Sequence, residues 1–481
     1  MIAGPTQAER PGGDAARRGN EMERRDLEAG RRSTARESEE RRPPRESGDD
    51  ASREESDLPA GPRVSVLRLT PHFYWPQLRD SSWPVKFDAI GGMQSQIYRL
   101  TRALAGLGVE QRVLTLRIRG APREWSLSDG TTVHGVRVPV LPLRSRIRGM
   151  VDLNLAWALG VVWDVIRWRP RPTVLHVHCS GVILPPLVGW ILSRLLRTPL
   201  VLTLHCSILA TYHPMSRLDS AIQPIARWIE RRAIRASERV VVLTPRSVSA
   251  LARAAGVTED RFVVLPDVID ADEFAARASP EAQAEMRARW AIPEGVPVVG
   301  YVGRIAREKG WPILLDIAER LRDMPLHWLI CGDGNERDLF EADVAARGLA
   351  DRVTVTGYIA NEDVPNAMGI MDLLLMASLH EEFGSVMLEA MAVRLPIVAY
   401  SVGGIAAVLE HGALGVLVPE RTSTAFAAAI RETLASPETR AQLAERAAAR
   451  VREAYHVDRI ARDTQRVYRA MPAETPVAAA F

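Results

Sequence analysis

The sequence predicts an α/β chain built from two doubly wound units, on three observations. Short apolar runs recur that end in a glycine-bearing turn and lead into a helix: Val64–Leu69 ahead of Gly91-Gly92, Val298–Val302 ahead of Gly303, and Leu326–Cys331 ahead of Gly332-Asp333-Gly334. A strand, a glycine turn and a helix form the repeating unit of an open parallel sheet. These runs fall into two sets, one closing near Asp270 and one opening at Val298. Three late helical segments follow the final strand, so the chain ends on helices that are expected to pack across the two units.

Composition narrows the function. A chain of 481 residues can form two or three domains, each with ample core. A formal charge of +3 is too small to imply a nucleic-acid partner. Lys86 and Lys309 are the only lysines; every other basic side chain apart from histidine is arginine. Cys179, Cys206 and Cys331 lie far apart and match no metal-ligand spacing, so reduced thiols in a cytoplasmic protein are expected. No secretory signal is visible at the N-terminus. The longest apolar stretch, Gly181–Leu192, is broken by Pro185 and Pro186 and is too short to span a bilayer. Stable membrane binding is not expected.

Residues 1–62 are rich in Arg, Glu, Asp, Gly, Pro and Ser and carry few large apolar groups, which predicts a disordered extension. A Rossmann-like domain is expected over 63–270. It begins with strand Val64–Leu69 and continues into a long connection, His72–Ile90, that carries Trp75, Asp80, Trp83, Lys86 and Asp88. Long connections in compact domains are often functional. Gly91-Gly92 then opens a helix through Leu107. Glycines there let the backbone approach a ligand closely. Next come strand Arg112–Leu116, a hairpin around Ser128-Asp129-Gly130, helix Val151–Trp168, strand Thr173–Val177, helix Gly181–Arg197 and strand Pro199–Leu204. His205 stands at the carboxyl end of that last strand, where open α/β sheets bind ligands, and is better placed for chemistry than His176 or His178. A structural, hydrogen-bonded histidine is the plain alternative. The basic helix Met215–Glu238 reads as a solvated face, or as one drawn to anionic lipid. Strand Val240–Leu243 and helix Pro245–Ala255 complete the domain.

A linker that runs into a small helical segment is expected over 271–295, a second Rossmann-like domain over 296–454, and a C-terminal helix and tail over 455–481. At the end of strand Val298–Val302, Arg304 can fork to phosphate oxygens and Lys309 can act as a mobile point charge. A salt bridge is the alternative. Strands Val353–Thr356, Leu373–Met376 and Pro396–Ala399 follow, the last running into Gly403-Gly404. Leu379–Ala392, LHEEFGSVMLEAMA, sets Glu381 and Glu389 around a step at Phe383-Gly384-Ser385. From Val386 it reads as a buried helix with Gly384 and Ser385 as cap-like residues. A helix start suits a phosphate and a nearby carboxylate suits sugar hydroxyls, so the stretch resembles a seat for a nucleotide sugar. Two surface acids on an ordinary helix are the alternative.

In order, Gly303-Arg304 with Lys309-Gly310, Gly332-Asp333-Gly334, Gly357, Glu381-x-Phe383-Gly384 with Glu389-Ala390-Met391-Ala392, and Gly403-Gly404 resemble glycosyltransferase family 4. The resemblance runs from about residue 63 and is densest between Val302 and Gly404. It implies a GT-B fold, two Rossmann-like domains facing a cleft, and retaining transfer from a nucleotide sugar without a cofactor or bound metal. Two further segments, Trp83–Gln96 and Thr203–Arg217, look like the glycosyltransferases that act on 2-deoxystreptamine in aminoglycoside antibiotic biosynthesis. That implies N-acetylglucosamine or glucose as the donor sugar, carried on uridine diphosphate, and a small cationic aminocyclitol as acceptor.

The resemblance also implies roles. Glu389 would hold the ribose hydroxyls and Glu381 a hydroxyl of the donor sugar, with Glu382 as the competing assignment. Arg304 and Lys309 would bind the diphosphate, aided by Gly384, Ser385, Gly91 and Gly92, and His205 would contact the sugar near its hydroxymethyl group. The segment Pro266-Asp267-Val268 departs from the Asn-Gly that many members carry after the proline. Asp267 is then an acceptor contact or an interdomain loop variant, and Asp88 is the other acid that could face an amine. Two other readings fit the chain: a family 4 enzyme with a lipid or other small-molecule acceptor, and a nucleotide-sugar epimerase of the same fold.

Overall fold

The structure is a computed structural model, described here for residues 63–76, 92–117, 121–136, 152–211 and 217–472. It contains two sheets, each flanked by helices. The first, in residues 63–264, has the order β3-β4-β2-β1-β5-β6-β7-β8, with strands Ser65–Leu69 (β1), Glu110–Leu116 (β2), Glu124–Ser128 (β3), Thr131–Val136 (β4), Val174–Ser180 (β5), Leu200–Cys206 (β6), Arg239–Val242 (β7) and Phe262–Val264 (β8). All neighbours are parallel except β3 and β4, the hairpin expected around Ser128-Asp129-Gly130. Its helices are Gly92–Gly106 (α1), Asp152–Trp168 (α2), Leu184–Leu196 (α3), Arg217–Ala236 (α4) and Arg246–Ala255 (α5).

The second sheet is wholly parallel, in the order β11-β10-β9-β12-β13-β14. Its strands are Val298–Val302 (β9), His327–Cys331 (β10), Val353–Gly357 (β11), Leu373–Met376 (β12), Ile397–Tyr400 (β13) and Val416–Val418 (β14). Helices Ala271–Ala275 (α6), Pro280–Arg289 (α7), Trp311–Arg320 (α8), Arg337–Ala346 (α9), Val364–Gly369 (α10), Val386–Ala392 (α11), Ile405–Val408 (α12), Ser423–Ala435 (α13) and Pro437–Ala454 (α14) pack with it. The strands are near-continuous apolar runs because both faces are covered.

One difference from the sequence reading stands out. The stretch 271–295, expected as a linker with a small helical segment, carries two helices, α6 and α7, and joins the second core, with Ala271, Phe274 and Ile292 buried there. The Asp270 carboxylate accepts from Glu273 N–H and the Ser279 hydroxyl from Ala282 N–H, so each short helix is capped at its start. As expected of a chain that ends on helices packing across the two units, the final helix, Val457–Arg469 (α15), leaves the second half and packs on the first sheet, where Val457, Ile460, Ala461 and Tyr468 share a core with Val66, Val174 and Val201. The chain therefore crosses between the halves twice. The two crossings are tied together: Ile269 N–H donates to Tyr455 O at 3.0 Å and Val457 N–H to Ile269 O at 3.1 Å.

Candidate functional site

The second half supplies most of the residues singled out in the sequence. After β9 the chain turns through Arg307–Lys309 and Gly310, whose φ of +81° favours glycine; a Cβ there would overlap the Ala377 carbonyl oxygen. Leu379 N–H donates to Glu308 O at 2.9 Å, tying this turn to the segment that follows β12. Lys309 and Glu381 therefore meet: Lys309 Nζ lies 2.6 Å from Glu381 Oε1, an oxygen that also accepts from the Ser378 hydroxyl at 3.0 Å. The Gly403-Gly404 turn closes over the same place, since a Cβ on Gly403 would overlap the Glu381 carbonyl oxygen. Arg304 Nη2 lies 2.8 Å from Glu308 Oε1, on the more exposed side of the turn.

The neighbouring acid is engaged differently. Glu382 accepts from the Ser247 hydroxyl of the first half at 3.3 Å and lies 3.6 Å from His380 Nε2. Burial works to raise its pKa, but hydrogen bonds from His380, Thr211 and Ser247 hold it below the ordinary glutamate value.

The two halves meet directly at the helix expected to seat the donor. Ser385 does not cap α11 through its side chain; its hydroxyl bonds to Asp267 of the crossing segment instead. Gly92, at the start of α1, faces the same residue, and a Cβ there would stand 2.9 Å from Ser385 Oγ. Glu389 pairs with Arg99 of α1, Nη2 to Oε1 at 3.0 Å, with both side chains largely buried. Tyr74 donates to Glu362 across the halves at 3.1 Å. Arg99 was not singled out in the sequence, because nothing in a helical register says which arginine will cross to another domain. Gly91 and Asp88 lie outside the described residues.

Asp267 is 4% exposed. Burial pushes its carboxyl up to about 6, against hydrogen bonds from Ser385 and Gln96. It shares a cavity of about 30 Å³ with Gln96, His178, Thr203 and His205. His205 is the last but one residue of β6, and burial pushes its pKa down to about 4, so its ring is neutral at pH 7. The loop after it is fastened by a residue that sequence reading missed. Glu230 of α4, 1% exposed, accepts from the amides of Ile208 and Leu209 at 3.1 and 2.7 Å and from the Ser207 hydroxyl at 2.9 Å. An inward acid within a basic amphipathic helix was the available signal.

Thus Lys309 with Glu381, Glu389, Ser385 with Gly92, and Asp267 with His205 form neighbouring groups where the halves touch. Among the described residues no group of three or more His, Cys, Asp or Glu side chains is arranged to hold a metal ion, and no helix is long and apolar enough to cross a membrane. The three cysteines are free.

Comparison with known proteins agrees with this architecture. Residues 91–267 match the family model described as glycosyl transferase 4-like domain, and residues 282–450 match glycosyl transferases group 1. The chain is 40% identical over 381 residues to a 2-deoxystreptamine N-acetyl-D-glucosaminyltransferase of Streptomyces fradiae, covering 78% of this chain and 89% of that protein. It is also 40% identical over 320 residues to a 2-deoxystreptamine glucosyltransferase of Streptomyces kanamyceticus, covering 65% and 82%. Among solved structures it resembles a sucrose-phosphate synthase from Thermosynechococcus elongatus, with a TM-score of 0.71, 23% identity, and coverage of 85% of this chain and 98% of that one. Its two sheets are those of the GT-B fold.

Proposed function

Since this chain belongs to the group 1 glycosyl transferases, we propose that it moves N-acetylglucosamine or glucose from a uridine diphosphate sugar to 2-deoxystreptamine, with retention at the anomeric carbon. The observation that carries the acceptor is the 40% identity, along most of both chains, to a relative named for that acceptor.

In this reading Lys309 and Arg304 bind the diphosphate and Glu381 orients a sugar hydroxyl. Lys309 and Glu381 already hold one another at 2.6 Å, so neither side chain has to be recruited from solvent when the donor arrives. Glu389 takes the ribose hydroxyls, exchanging part of its bond to Arg99. The Gly384-Ser385 step and the Gly91-Gly92 turn complete the phosphate seat. The bond from the anomeric carbon to the diphosphate oxygen breaks as a bond to an acceptor hydroxyl oxygen forms on the same face. The hydroxyl proton passes to the leaving phosphate oxygen. Cations preorganised around that oxygen stabilise the growing charge. The acceptor carries amines that are protonated near neutral pH, and Asp267, ionised above about pH 6, offers one of them a carboxylate; Asp88 is the second candidate.

Purified protein incubated with 2-deoxystreptamine and a panel of nucleotide sugars, followed by mass spectrometry, tests the reading. A new species heavier by one hexose or N-acetylhexosamine is expected. Epimerised donor without acceptor, or transfer to lipid alone, would replace it.

A further inference from the structure

One face of the first sheet carries a polar row inside an otherwise apolar layer. Gln111 on β2, Arg68 on β1, His176 and His178 on β5, and Thr203 and His205 on β6 all lie on it. The register sets Arg68 opposite His176 and His178 opposite Thr203. Side chains two apart along a strand share a face. Arg68 is 0% exposed, and its hydrogen-bond partners are His178, Gln111 and Tyr468 of α15, none of them a carboxylate. A guanidinium has donors only and keeps its charge inside a protein, so it dictates where its neighbours hold their protons.

Two chains of donation follow. Arg68 Nη1 donates to His178 Nε2 at 2.9 Å, so that nitrogen presents its lone pair. Beside a fixed cation in a dry layer the His178 ring stays neutral and keeps its one proton on Nδ1, which lies 3.1 Å from His205 Nε2. His205 then accepts at Nε2 and carries its own proton on Nδ1. In the second chain Arg68 Nη2 donates to the Tyr468 hydroxyl at 3.1 Å. That hydroxyl donates to His176 Nδ1 at 2.6 Å, and His176 Nε2 donates to Thr203 at 2.7 Å. Each of these contacts thereby pairs a donor with an acceptor, while Arg68 Nε meets none among the described residues. Burial and the nearby positive charge hold His176 and His178 well below the ordinary histidine range, in agreement with neutral rings.

We infer that Arg68 and His178 are positioning residues that lock His205 as the Nδ1–H tautomer, so that it offers the reactants a hydrogen-bond donor and not a base. The part that concerns reactants rests on the proposed reading that His205 faces the donor sugar, whose hydroxyl oxygens accept. The tautomer itself does not depend on that reading.

The test uses the full chain with 15N-labelled histidine at pH 7.5. Long-range 1H–15N spectra distinguish a protonated from a bare ring nitrogen, and the His205 signals are identified by their loss in His205→Gln. His205 is expected protonated at Nδ1 and bare at Nε2. A proton on Nε2, or on both nitrogens, would overturn the assignment. His178→Asn keeps an amide donor near the place of Nδ1 and is expected to preserve the tautomer and most of the rate. His178→Leu removes the donor; His205 is expected to change tautomer and kcat to fall about tenfold, the worth of one hydrogen bond, with the nucleotide-sugar KM little changed. A rate loss in His178→Leu with the tautomer unchanged, or equal losses in both variants, would reduce His178 to a packing residue. Absence of transfer by the unaltered chain would count against the proposed function and leave the spectra to decide the tautomer.

Discussion

Lys309 and Glu381 show how a residue's partner changes what its loss means. Each neutralises the other at 2.6 Å, with Glu381 the less exposed of the two. Lys309→Ala removes a phosphate ligand and also leaves Glu381 without its counter-charge; Glu381→Ala removes a sugar contact and frees the lysine to swing away. Both variants are expected to stay folded and to lose about 100- to 1,000-fold in kcat, the usual cost of one preorganised polar contact in such a site. Near-native turnover in either, with unchanged circular dichroism, would remove that residue from the site. Gly310→Ala offers a second measurement at the same place. Neither its φ nor the Ala377 carbonyl leaves room for a Cβ, so the lysine turn must shift. A shift of that order misplaces Lys309, and a loss of about 100-fold in kcat is expected. Steady-state kinetics of the purified variant decide it.

At the scale of elements, the loop after β6 owes its shape to a helix that the sequence marks only as basic. Glu230 gathers two amides and one hydroxyl from residues 207–209 while sitting 1% exposed. Glu230→Ala strands those donors, and at 1–3 kcal/mol for each unmet buried group a loss of about 3 kcal/mol in folding stability is expected. A urea midpoint equal to the parent's would show the loop to be held by other means. The linker expected over 271–295 shows the complementary failing. A small helical segment was legible there, but burial of Phe274 and Ile292 against the second sheet depends on contacts distant in the chain.

At the scale of the whole molecule, the return of α15 to the first sheet brings Tyr468 onto Arg68 and His176, joining residues 400 and 292 positions apart. The network it completes makes stability depend on pH. His176, His178 and His205 all have folded pKa values below that of free histidine, with His205 at about 4. Between about pH 6.5 and pH 4 the unfolded chain therefore binds protons that the folded chain refuses, and stability falls as pH falls through that window. Asp267, raised to about 6, works in the opposite sense, its contribution fading as pH rises from 3.8 to about 6. Burial also lowers His134 and His327 and raises Glu230, so five depressed histidines stand against two raised acids and predict a urea midpoint that drops between pH 7 and pH 5, less steeply in His205→Gln. Equal slopes in the two proteins would exclude His205 as a source.

Periodicity and glycine turns are local, so the sequence alone determined the two α/β units, most strands of both sheets, the late helices and the placing of Glu381, Lys309 and His205 at strand ends. Local pattern also sufficed for the family, since its motifs recur in order along one half. Partners across the halves were decided only by tertiary structure. That Ser385 turns to Asp267, that Glu389 meets Arg99, and that Tyr468 reaches Arg68 depend on where the two halves touch and on which helix returns between them. Charges and hydrogen bonds act over a few ångströms in space, and distance along the chain does not reveal which of 60 arginines will come that close.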